Sequence, residues 1–333
     1  MKAQFLWLFA ALLALSACGG KSGRTSPSVH RGVYHWKTTY DPTNWEKQWM
    51  KDHKVDKLYV KLFDVEAGYK ASEPGWKMVP VATTLFKQKL PTGIEVVPVV
   101  YITVDAIRAV DEGFWGNYEE YARLIVKRID DMMGEHYGGK IKEVQLDCDW
   151  TQQTEHAYFM LAKSVKELLH DRDIILSGTL RLHQLREVIC PTKNEFGCTD
   201  SIPFDRSLLM CYNTGRLQDP RTDNSILDFN DVKPYLKQYP LDSLPRTDVA
   251  YPVYGWGVMF YKLGGFKRLV NSRNMPSKSN DSVRVEWGEP GEIGKTQRAL
   301  PILDDNRTTI LYHLDSLNLS RYSHEDIEAF YSR

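Results

Sequence analysis

The sequence lacks an excess of charge of either sign, and it lacks a long basic stretch. Its 43 Lys and Arg residues balance 43 Asp and Glu residues, so the formal net charge at pH 7 is zero. Domains that bind nucleic acid through its phosphates usually carry a basic patch or stripe and a high isoelectric point. The balanced charge therefore gives no support to a nucleic-acid partner, and none is expected.

Long apolar segments are also scarce. The apolar run at residues 5–15 is too short to span a bilayer and is typical of the central part of a signal peptide. Lys2 supplies a positive charge before it, and the small residues Ser16 and Ala17 lead to Cys18. No later segment reaches the roughly 18 apolar residues that a membrane helix needs. The N-terminus is therefore predicted to direct export.

The segment Leu15-Ser16-Ala17-Cys18 resembles the lipobox of bacterial lipoproteins, in which the cysteine is lipidated and becomes the mature N-terminus. The resemblance implies a signal peptide over residues 1–17 and lipid attachment at Cys18. Gly19, rather than Asp, follows that cysteine, which implies anchoring in the outer membrane. Residues 18–29 are mostly small or polar and are predicted to be a flexible tether. The lipid is the only membrane contact expected.

Cysteine is rare, with five residues in the chain. Cys190 and Cys198 flank a polar loop, and in an exported protein this arrangement favours a local disulfide. Cys148 and Cys211 lie within apolar segments and are predicted to be buried free thiols. The cysteine spacing matches no zinc pattern, so no metal site is expected, and no cofactor is predicted.

The remaining chain, residues 30–333, has no internal repeat and is predicted to form one domain. Apolar or β-branched segments alternate with amphipathic stretches such as Asn117–Met133 and Thr154–Leu169. The predicted strands are Gly32–Thr39, Lys57–Val65, Glu95–Thr103, Glu143–Trp150, Ile174–Leu182, Ser207–Asn213, Val249–Trp256 and Thr308–Leu317. Eight strands separated by helical crossovers predict an α/β fold, a (β/α)₈ TIM barrel. The polar region Asn271–Lys295 is predicted to be a long loop.

The predicted fourth strand carries two carboxylates on one face. Side chains alternate along a strand, so Asp147 and Asp149 point into the barrel when Cys148 faces the helices. Barrel interiors are normally filled by apolar side chains, and buried carboxylates are costly unless they are paired or functional. The pair therefore predicts a site at the carboxyl end of the barrel.

These residues also carry a resemblance. The string from Val144 to Trp150 resembles the fourth-strand signature D-G-x-D-x-D-W-E of family 18 glycoside hydrolases, the chitinase-like barrels. Asp147, Asp149 and Trp150 match its second Asp, third Asp and Trp. Residues 210–215 and 251–256 resemble the family's sixth-strand M-x-Y-D and seventh-strand P-x-Y-G-R, and residues 32–36 loosely resemble its first strand. Each string lies on a predicted strand of the right ordinal number.

The resemblance implies a sugar-binding cleft at the strand ends. Asp147, Asp149 and Tyr212 are the catalytic candidates. Aromatic side chains suit sugars because they present a flat apolar face and, in Tyr and Trp, a polar edge. Arg181 would suit an anionic group on the ligand or an ion pair with Asp147 or Asp149. The predicted substrate-binding residues are Trp36, Trp150, Arg181, Asn213, Tyr254 and Trp256.

The departures from the family pattern determine the functional prediction. Thr151 stands where the family has its general acid Glu, and Asn213 and Trp256 replace the sixth-strand Asp and the seventh-strand Arg. A threonine hydroxyl cannot donate a proton at neutral pH as a tuned carboxylic acid does. General acid catalysis contributes roughly 10²–10⁴-fold to a rate. A glycan-binding protein with lost or altered hydrolytic activity is therefore expected.

Two alternatives stay open. One is an active glycoside hydrolase, in which another carboxylate faces Asp149 across the mouth in a two-carboxylate arrangement. The other is a scaffold lipoprotein with a degenerate cleft. The candidates for a relocated acid are Asp64, Asp105, Glu155 and Asp315.

Overall fold

The computed structural model of the protein describes residues 29–70, 73–111, 117–189, 202–239, 241, 244–262, 264–271, 282–301 and 307–332. Its strands are β1 (His30–His35), β2 (Thr39–Tyr40), β3 (Lys57–Lys70), β4 (Glu73–Val81), β5 (Leu85–Phe86), β6 (Glu95–Ile102), β7 (Glu143–Asp147), β8 (Ile175–Arg181), β9 (Arg206–Met210), β10 (Thr247–Pro252), β11 (Gly255–Phe260), β12 (Phe266–Asn271), β13 (Ser282–Trp287) and β14 (Thr308–Tyr312). Its helices are α1 (Asn44–Asp52), α2 (Val104–Asp111), α3 (Tyr118–His136), α4 (Glu155–His170), α5 (Leu185–Ile189), α6 (Phe229–Gln238), α7 (Pro290–Ala299), α8 (Ser316–Leu319) and α9 (His324–Tyr331).

Eight strands form a closed parallel barrel in the order β1, β3, β6, β7, β8, β9, β10, β14, and β14 pairs back to β1. These are the eight strands predicted from the sequence, so the single-domain (β/α)₈ TIM barrel is confirmed. Helices follow every barrel strand except β3, which continues into an antiparallel hairpin with β4.

Both faces of the barrel strands are buried, which explains their near-continuous apolar sequences. On the outer face, Val144, Leu146 and Cys148 join a large core shared with the helices. The inner face holds a smaller cluster with Tyr34 and Tyr59 among its members. Side chains therefore fill the barrel interior up to the level at which the strands end.

Helix α4 begins at Glu155 rather than directly after Thr151. The N-cap is Thr154, and its hydroxyl accepts a hydrogen bond from the Thr151 N–H at 3.0 Å. The helix begins later because residues 151–154 form a turn, closed by a 2.8 Å bond from the Thr154 N–H to the Thr151 carbonyl. Thr151 is exposed and Glu155 is the first residue of the helix.

The prediction of a long loop over Asn271–Lys295 is wrong for its described part. Strand β13 and the start of α7 lie within that region, and β13 pairs with β11 in a three-stranded antiparallel sheet with β12. The seventh barrel strand accordingly ends at Pro252, and Trp256 belongs to the added sheet. Strand β13 does alternate, with Arg284 and Glu286 on one face and Val283 and Val285 on the other, so its pattern was a usable signal that the polar surroundings outweighed.

The described cysteines agree with the sequence, because Cys148 and Cys211 are buried free thiols. Burial raises the pKa of the Cys211 thiol to about 12, so it stays protonated and unreactive. Cys18, Cys190 and Cys198 lie outside the described residues, as do the predicted signal segment and all of the tether but its last residue. Within the described ranges, every helix is too short or too polar to span a bilayer.

Candidate functional site

Strand β7 delivers two carboxylates to the mouth of the barrel. Asp147 is its last residue and Asp149 follows two positions later, on the same side of the backbone. Cys148 between them is buried among the outer core residues. The carboxyl ends of parallel strands meet at one edge, so both acids reach the rim at which TIM barrels place their functional residues.

Asp147 is the buried member of the pair, with 2% of its surface exposed. The hydroxyl of Thr179 on β8 donates a 2.6 Å hydrogen bond to its Oδ1. Burial raises the pKa of Asp147 to about 6; the charge of Asp149 also raises this pKa, and that of Arg181 lowers it. Asp147 therefore changes charge near neutral pH, in the range useful for acid–base chemistry.

Asp149 is held by Arg181, which ends β8. The guanidinium Nε donates to Asp149 Oδ1 at 2.5 Å and Nη2 to Oδ2 at 3.4 Å. The same group lies 5.4 Å from the centre of the Tyr212 ring, in a cation–π arrangement. Of the two roles open to Arg181, the structure shows the ion pair with Asp149. Its Nη1 is buried and has no hydrogen-bond partner among the described residues, so it can donate to a ligand.

The cleft above these residues encloses about 460 Å³ and has aromatic walls. Tyr212 and Tyr312 stack with their ring centres 5.2 Å apart, and the Tyr254 hydroxyl donates a 2.6 Å hydrogen bond to Asn213 Oδ1. Asn213 has a positive φ of 55°, a conformation that Asn tolerates better than most residues. The aromatic residues that line the cleft are Trp36, Tyr101, Tyr212, Tyr254, Trp256 and Tyr312.

Trp256 is positioned by the added sheet. Its indole N–H donates a 2.6 Å hydrogen bond to Glu286 Oε2 on β13, and the guanidinium of Arg284 contacts Glu286 Oε1 at 2.5 Å. The hydroxyl of Ser225 also donates to Glu286. The buried Glu286 thus fixes one wall of the cleft, although sequence reasoning placed this region in a loop.

Most predicted site residues come together, and one does not. Asp147, Asp149 and Tyr212 line the cleft with Trp36, Arg181, Asn213, Tyr254 and Trp256. The assignment of Trp150 to substrate binding needs correction, because Trp150 is fully buried and packs against Phe159 of α4. An even-numbered residue at this point of β7 faces the helices, as Cys148 does.

Of the four carboxylates proposed as a relocated acid, one lies at the cleft and three lie elsewhere. Asp64 lines the cleft and forms an ion pair with Lys61 at 2.8 Å. Asp105 is exposed on α2, and Glu155 lies in the first turn of α4. Asp315 caps α8 and accepts hydrogen bonds from the backbone of that helix. Of the four, Asp64 alone lines the cleft that contains Asp149.

Sequence reasoning missed four residues that line the cleft: Lys61, Tyr101, Tyr312 and His313. Tyr101 lies near the end of the predicted third strand, as the recognised aromatics do, so its position was a usable signal. Tyr312 lay hidden in the middle of the predicted strand Thr308–Leu317, which in the structure ends at Tyr312. Lys61 lies next to a register shift in β3, and its ammonium group reaches 5.6 Å from the Trp36 ring centre. Nothing in the sequence marks such an irregularity.

A second cavity, of about 570 Å³, follows the cleft along the same strands. On β3, Asp64 lines the cleft and Glu66, two residues later, lines this outer cavity. In the same way, Tyr101 on β6 lines the cleft, and Thr103, just after the end of β6, lines the outer cavity. Trp76 on the β4 arm of the hairpin forms its wall and is 58% exposed. The residues that line the two cavities are therefore neighbours along β3 and at the end of β6.

No protein-family model and no curated protein matches the sequence. Solved structures do match in fold. The chitinase from Chromobacterium violaceum ATCC 12472 superposes with a TM-score of 0.54 at 10% identity, covering 92% of this chain and all of that one. The Bacillus cereus spore cortex-lytic enzyme SleL gives 0.53 at 14% identity, over 91% of this chain and 73% of that chain.

The GH18 chitinase ChiB of Flavobacterium johnsoniae gives a TM-score of 0.52 at 12% identity, over 92% of this chain and 93% of that one. Identities this low establish the fold alone. The chain has a divergent chitinase-like TIM barrel, as the resemblance of its strand motifs implied.

Proposed function

We propose that this protein binds glycans in the cleft at the carboxyl end of its barrel, with the hydrolysis typical of family 18 barrels lost or altered. One observation carries the proposal. An aromatic cleft with two strand-end carboxylates is intact, while position 151, which the family motif gives to the acid, holds an exposed threonine.

The walls of the cleft support sugar binding. Aromatic rings line several sides of the cleft, and Asp147, Asp149 and Asn213 present polar groups at its base. Ligand pockets of about 300–1,000 Å³ combine apolar walls with a few polar groups in this way. Rings pack on the C–H faces of a sugar, and the polar groups bond its hydroxyls.

The surroundings of Thr151 support the loss of the inherited reaction. Its N–H donates to the Thr154 hydroxyl, and the two hydroxyls lie 3.4 Å apart, so the residue belongs to the turn before α4. Asp149 is held in an ion pair by the Arg181 guanidinium, which donates to both of its carboxylate oxygens. The turn that holds Thr151 therefore supplies no carboxylic acid at the position where the family motif has its proton donor.

The outer cavity supports a ligand longer than one sugar. It is lined by Glu66, and Asp64, two residues earlier on the same face of β3 and so about 7 Å away, lines the cleft. Trp76, at its far wall, offers an exposed ring beside Tyr69, with ring centres 5.9 Å apart. An oligosaccharide could contact the inner aromatic walls and Trp76 together.

Calorimetry with chito-oligosaccharides of two to six units tests this proposal. We expect the parent to bind them, Asp149→Asn to lose most of the affinity, and neither to release products. Asp131→Asn, on the exposed face of α3, is the matched control and should bind like the parent. If the parent binds none of a broad set of glycans, the cleft is a relic and a scaffold role replaces the proposal.

An active hydrolase is the second candidate, and two observations favour it. Asp64 lines the cleft that contains Asp149, and the pKa of Asp147 is raised to about 6. In that case the parent cleaves chito-oligosaccharides and Asp64→Asn abolishes cleavage. Under the binding proposal the parent is inactive, and Thr151→Glu, which adds the acid at the family position, raises cleavage above the parent.

We also propose that Cys18 carries a lipid that anchors the protein in the outer membrane, with the following polar residues as a tether. The lipobox-like sequence supports this location. Cys18→Ala should move the protein from the membrane to the soluble fraction. Tight membrane association of that variant would contradict the proposal.

A further inference from the structure

Three metal-ligating side chains meet on the outside of the barrel, at the end opposite the cleft. His324 and Glu328 lie four residues apart on α9, which places them on one face of the helix. His53 caps the C-terminus of α1 and faces them. Helices that follow barrel strands run back toward the strand starts, so the end of α1 lies far from the cleft.

The ligand atoms of these three residues, one from each, all lie within 4.8 Å of one another. His53 Nδ1 is 3.0 Å from Glu328 Oε1. The two imidazole rings stack with centres 4.7 Å apart at 29°. Around Zn²⁺, with bonds of about 2.0–2.2 Å, neighbouring ligand atoms lie roughly 3.3 Å apart. The His53–Glu328 pair already has nearly that spacing, and the exposed His324 ring needs to move by at most roughly 1.5 Å.

We propose that His53, His324 and Glu328 bind a Zn²⁺ ion that links α9 to α1. Two imidazoles and one carboxylate suit Zn²⁺, whereas Ca²⁺ and Mg²⁺ prefer oxygen ligands. Among the described residues, this is the cluster of His, Cys, Asp and Glu whose ligand atoms converge in this way. No sequence motif marks this cluster, because His53 lies about 270 residues before His324 and Glu328.

The surroundings make the site ordered but accessible. His53 is buried and packs against Trp49, with ring centres 4.8 Å apart, so its orientation is fixed. His324 is exposed, which leaves an entry path and room for a water as the fourth ligand. His53 and Glu328 would then hold the ion in fixed positions, and the exposed His324 would complete the site with a small movement of its ring.

Arg31 competes with the ion. Its Nη1 donates to Glu328 Oε1 at 2.9 Å and to the His53 carbonyl at 2.9 Å. A positive guanidinium on the same carboxylate oxygen opposes a cation and weakens its binding. Removal of this charge should therefore tighten metal binding, which distinguishes a metal site from a purely structural hydrogen-bond cluster.

The test is Zn²⁺ titration of the full chain after removal of metal by a chelator, followed by calorimetry and thermal unfolding. We expect one strong site per chain, a loss of at least about 10-fold in affinity in His324→Ala and Glu328→Gln, and a higher Tm with Zn²⁺ in the parent. His170→Ala is the control: it replaces the imidazole of the last residue of α4 and should bind Zn²⁺ like the parent.

Arg31→Gln supplies an outcome that a folding defect cannot imitate, because it predicts a gain. Its affinity for Zn²⁺ should exceed that of the parent. Since His324 is exposed, the His324→Ala chain should keep the Tm of the metal-free parent. Equal Zn²⁺ affinity in His324→Ala and the parent would overturn the proposal, as would an equal loss in His170→Ala.

Discussion

The two ends of the barrel both hold paired charged side chains, and they differ in how far solvent reaches those side chains. At the mouth, Arg181 pairs with Asp149 beside Asp147. At the strand starts lies a second group of buried charges, which we call the floor: Lys57, Glu95, Glu143, Arg206 and Asp248. Burial raises the pKa of Asp147 and that of Asp248 to about 6. A perturbed carboxylate in a barrel therefore does not by itself identify a functional site.

Access separates the two ends. In the floor, Arg206 and Asp248 are paired at 2.8 Å, with side chains only 8% and 2% exposed. Lys57 lies between Glu143 at 3.0 Å and Glu95 at 3.2 Å. At the mouth, 41% of the Asp149 side chain is exposed beneath open space with aromatic walls. The floor stabilises the fold, and the mouth is left able to bind.

The largest expected effect is the loss of the floor arginine. Arg206→Met leaves Asp248 buried without its partner, and breaking a buried pair costs about 3–5 kcal/mol. Arg181→Met should cost clearly less, because water can solvate the exposed Asp149. Urea unfolding of both variants at pH 8 measures the difference. Equal losses would show that the mouth is as closed as the floor.

A second prediction concerns the pH dependence of stability. The raised pKa of Asp147 means that the folded protein binds a proton more tightly than the unfolded chain between about pH 4 and 6. The contribution of this residue to stability therefore falls as pH rises through that window. Asp147→Asn removes the dependence but keeps an acceptor for the Thr179 hydroxyl.

Relative to the parent, Asp147→Asn should gain roughly 2–3 kcal/mol in the free energy of unfolding between pH 4 and pH 8. The titration of Asp248 is common to both proteins and cancels in the difference. Urea unfolding across this range gives the curve. A difference that stays flat with pH would mean that Asp147 has an ordinary pKa.

The sequence was sufficient to predict the barrel because both faces of each strand are buried. Continuous apolar segments such as Glu95–Thr103 therefore stand out against amphipathic helices. The added sheet was missed although β13 alternates strictly between polar and apolar residues. Its alternation is inverted relative to a strand on a core, because the apolar Val285 is 53% exposed while the charged Glu286 is buried. The polar residues around the strand therefore outweighed its pattern.

The site could be predicted in part for a similar reason. Alternation along β7 placed Asp147 and Asp149 inside the barrel, and the same rule, applied beyond the strand, would have excluded Trp150. Contacts between distant segments stayed hidden, among them the hydrogen bond from Trp256 to Glu286. The floor was missed too, although four of its five charged residues begin strands β3, β6, β7 and β9, and the fifth, Asp248, is the second residue of β10.

A third prediction separates binding from stability at the rim of the mouth. Trp76→Ala should leave the free energy of unfolding nearly unchanged, because the ring is largely exposed. It should weaken binding of long chito-oligosaccharides roughly 3- to 10-fold and leave binding of the shortest ones unaffected, since one ring contact contributes about 0.5–1.5 kcal/mol. Trp45→Ala, an exposed ring on α1, is the control. A loss that is the same for all lengths would contradict the extended cleft.

The smallest expected effect compares one hydroxyl at each end. Tyr331 donates a 2.9 Å hydrogen bond to the Gly32 carbonyl near the floor, in a position 1% exposed. Tyr254 donates to Asn213 Oδ1 beside the open cleft. A hydrogen bond contributes about 0.5–1.5 kcal/mol net, and the cost of losing it grows when no water can replace the partner. Tyr331→Phe should therefore cost about 1–1.5 kcal/mol and Tyr254→Phe about 0.5 kcal/mol, measured by urea unfolding at one pH. Both substitutions remove a tyrosine hydroxyl, so their losses can be compared directly. A larger loss in Tyr254→Phe would mean that water does not reach Asn213. The contrast between an open mouth and a closed floor would then not hold for these two hydrogen bonds.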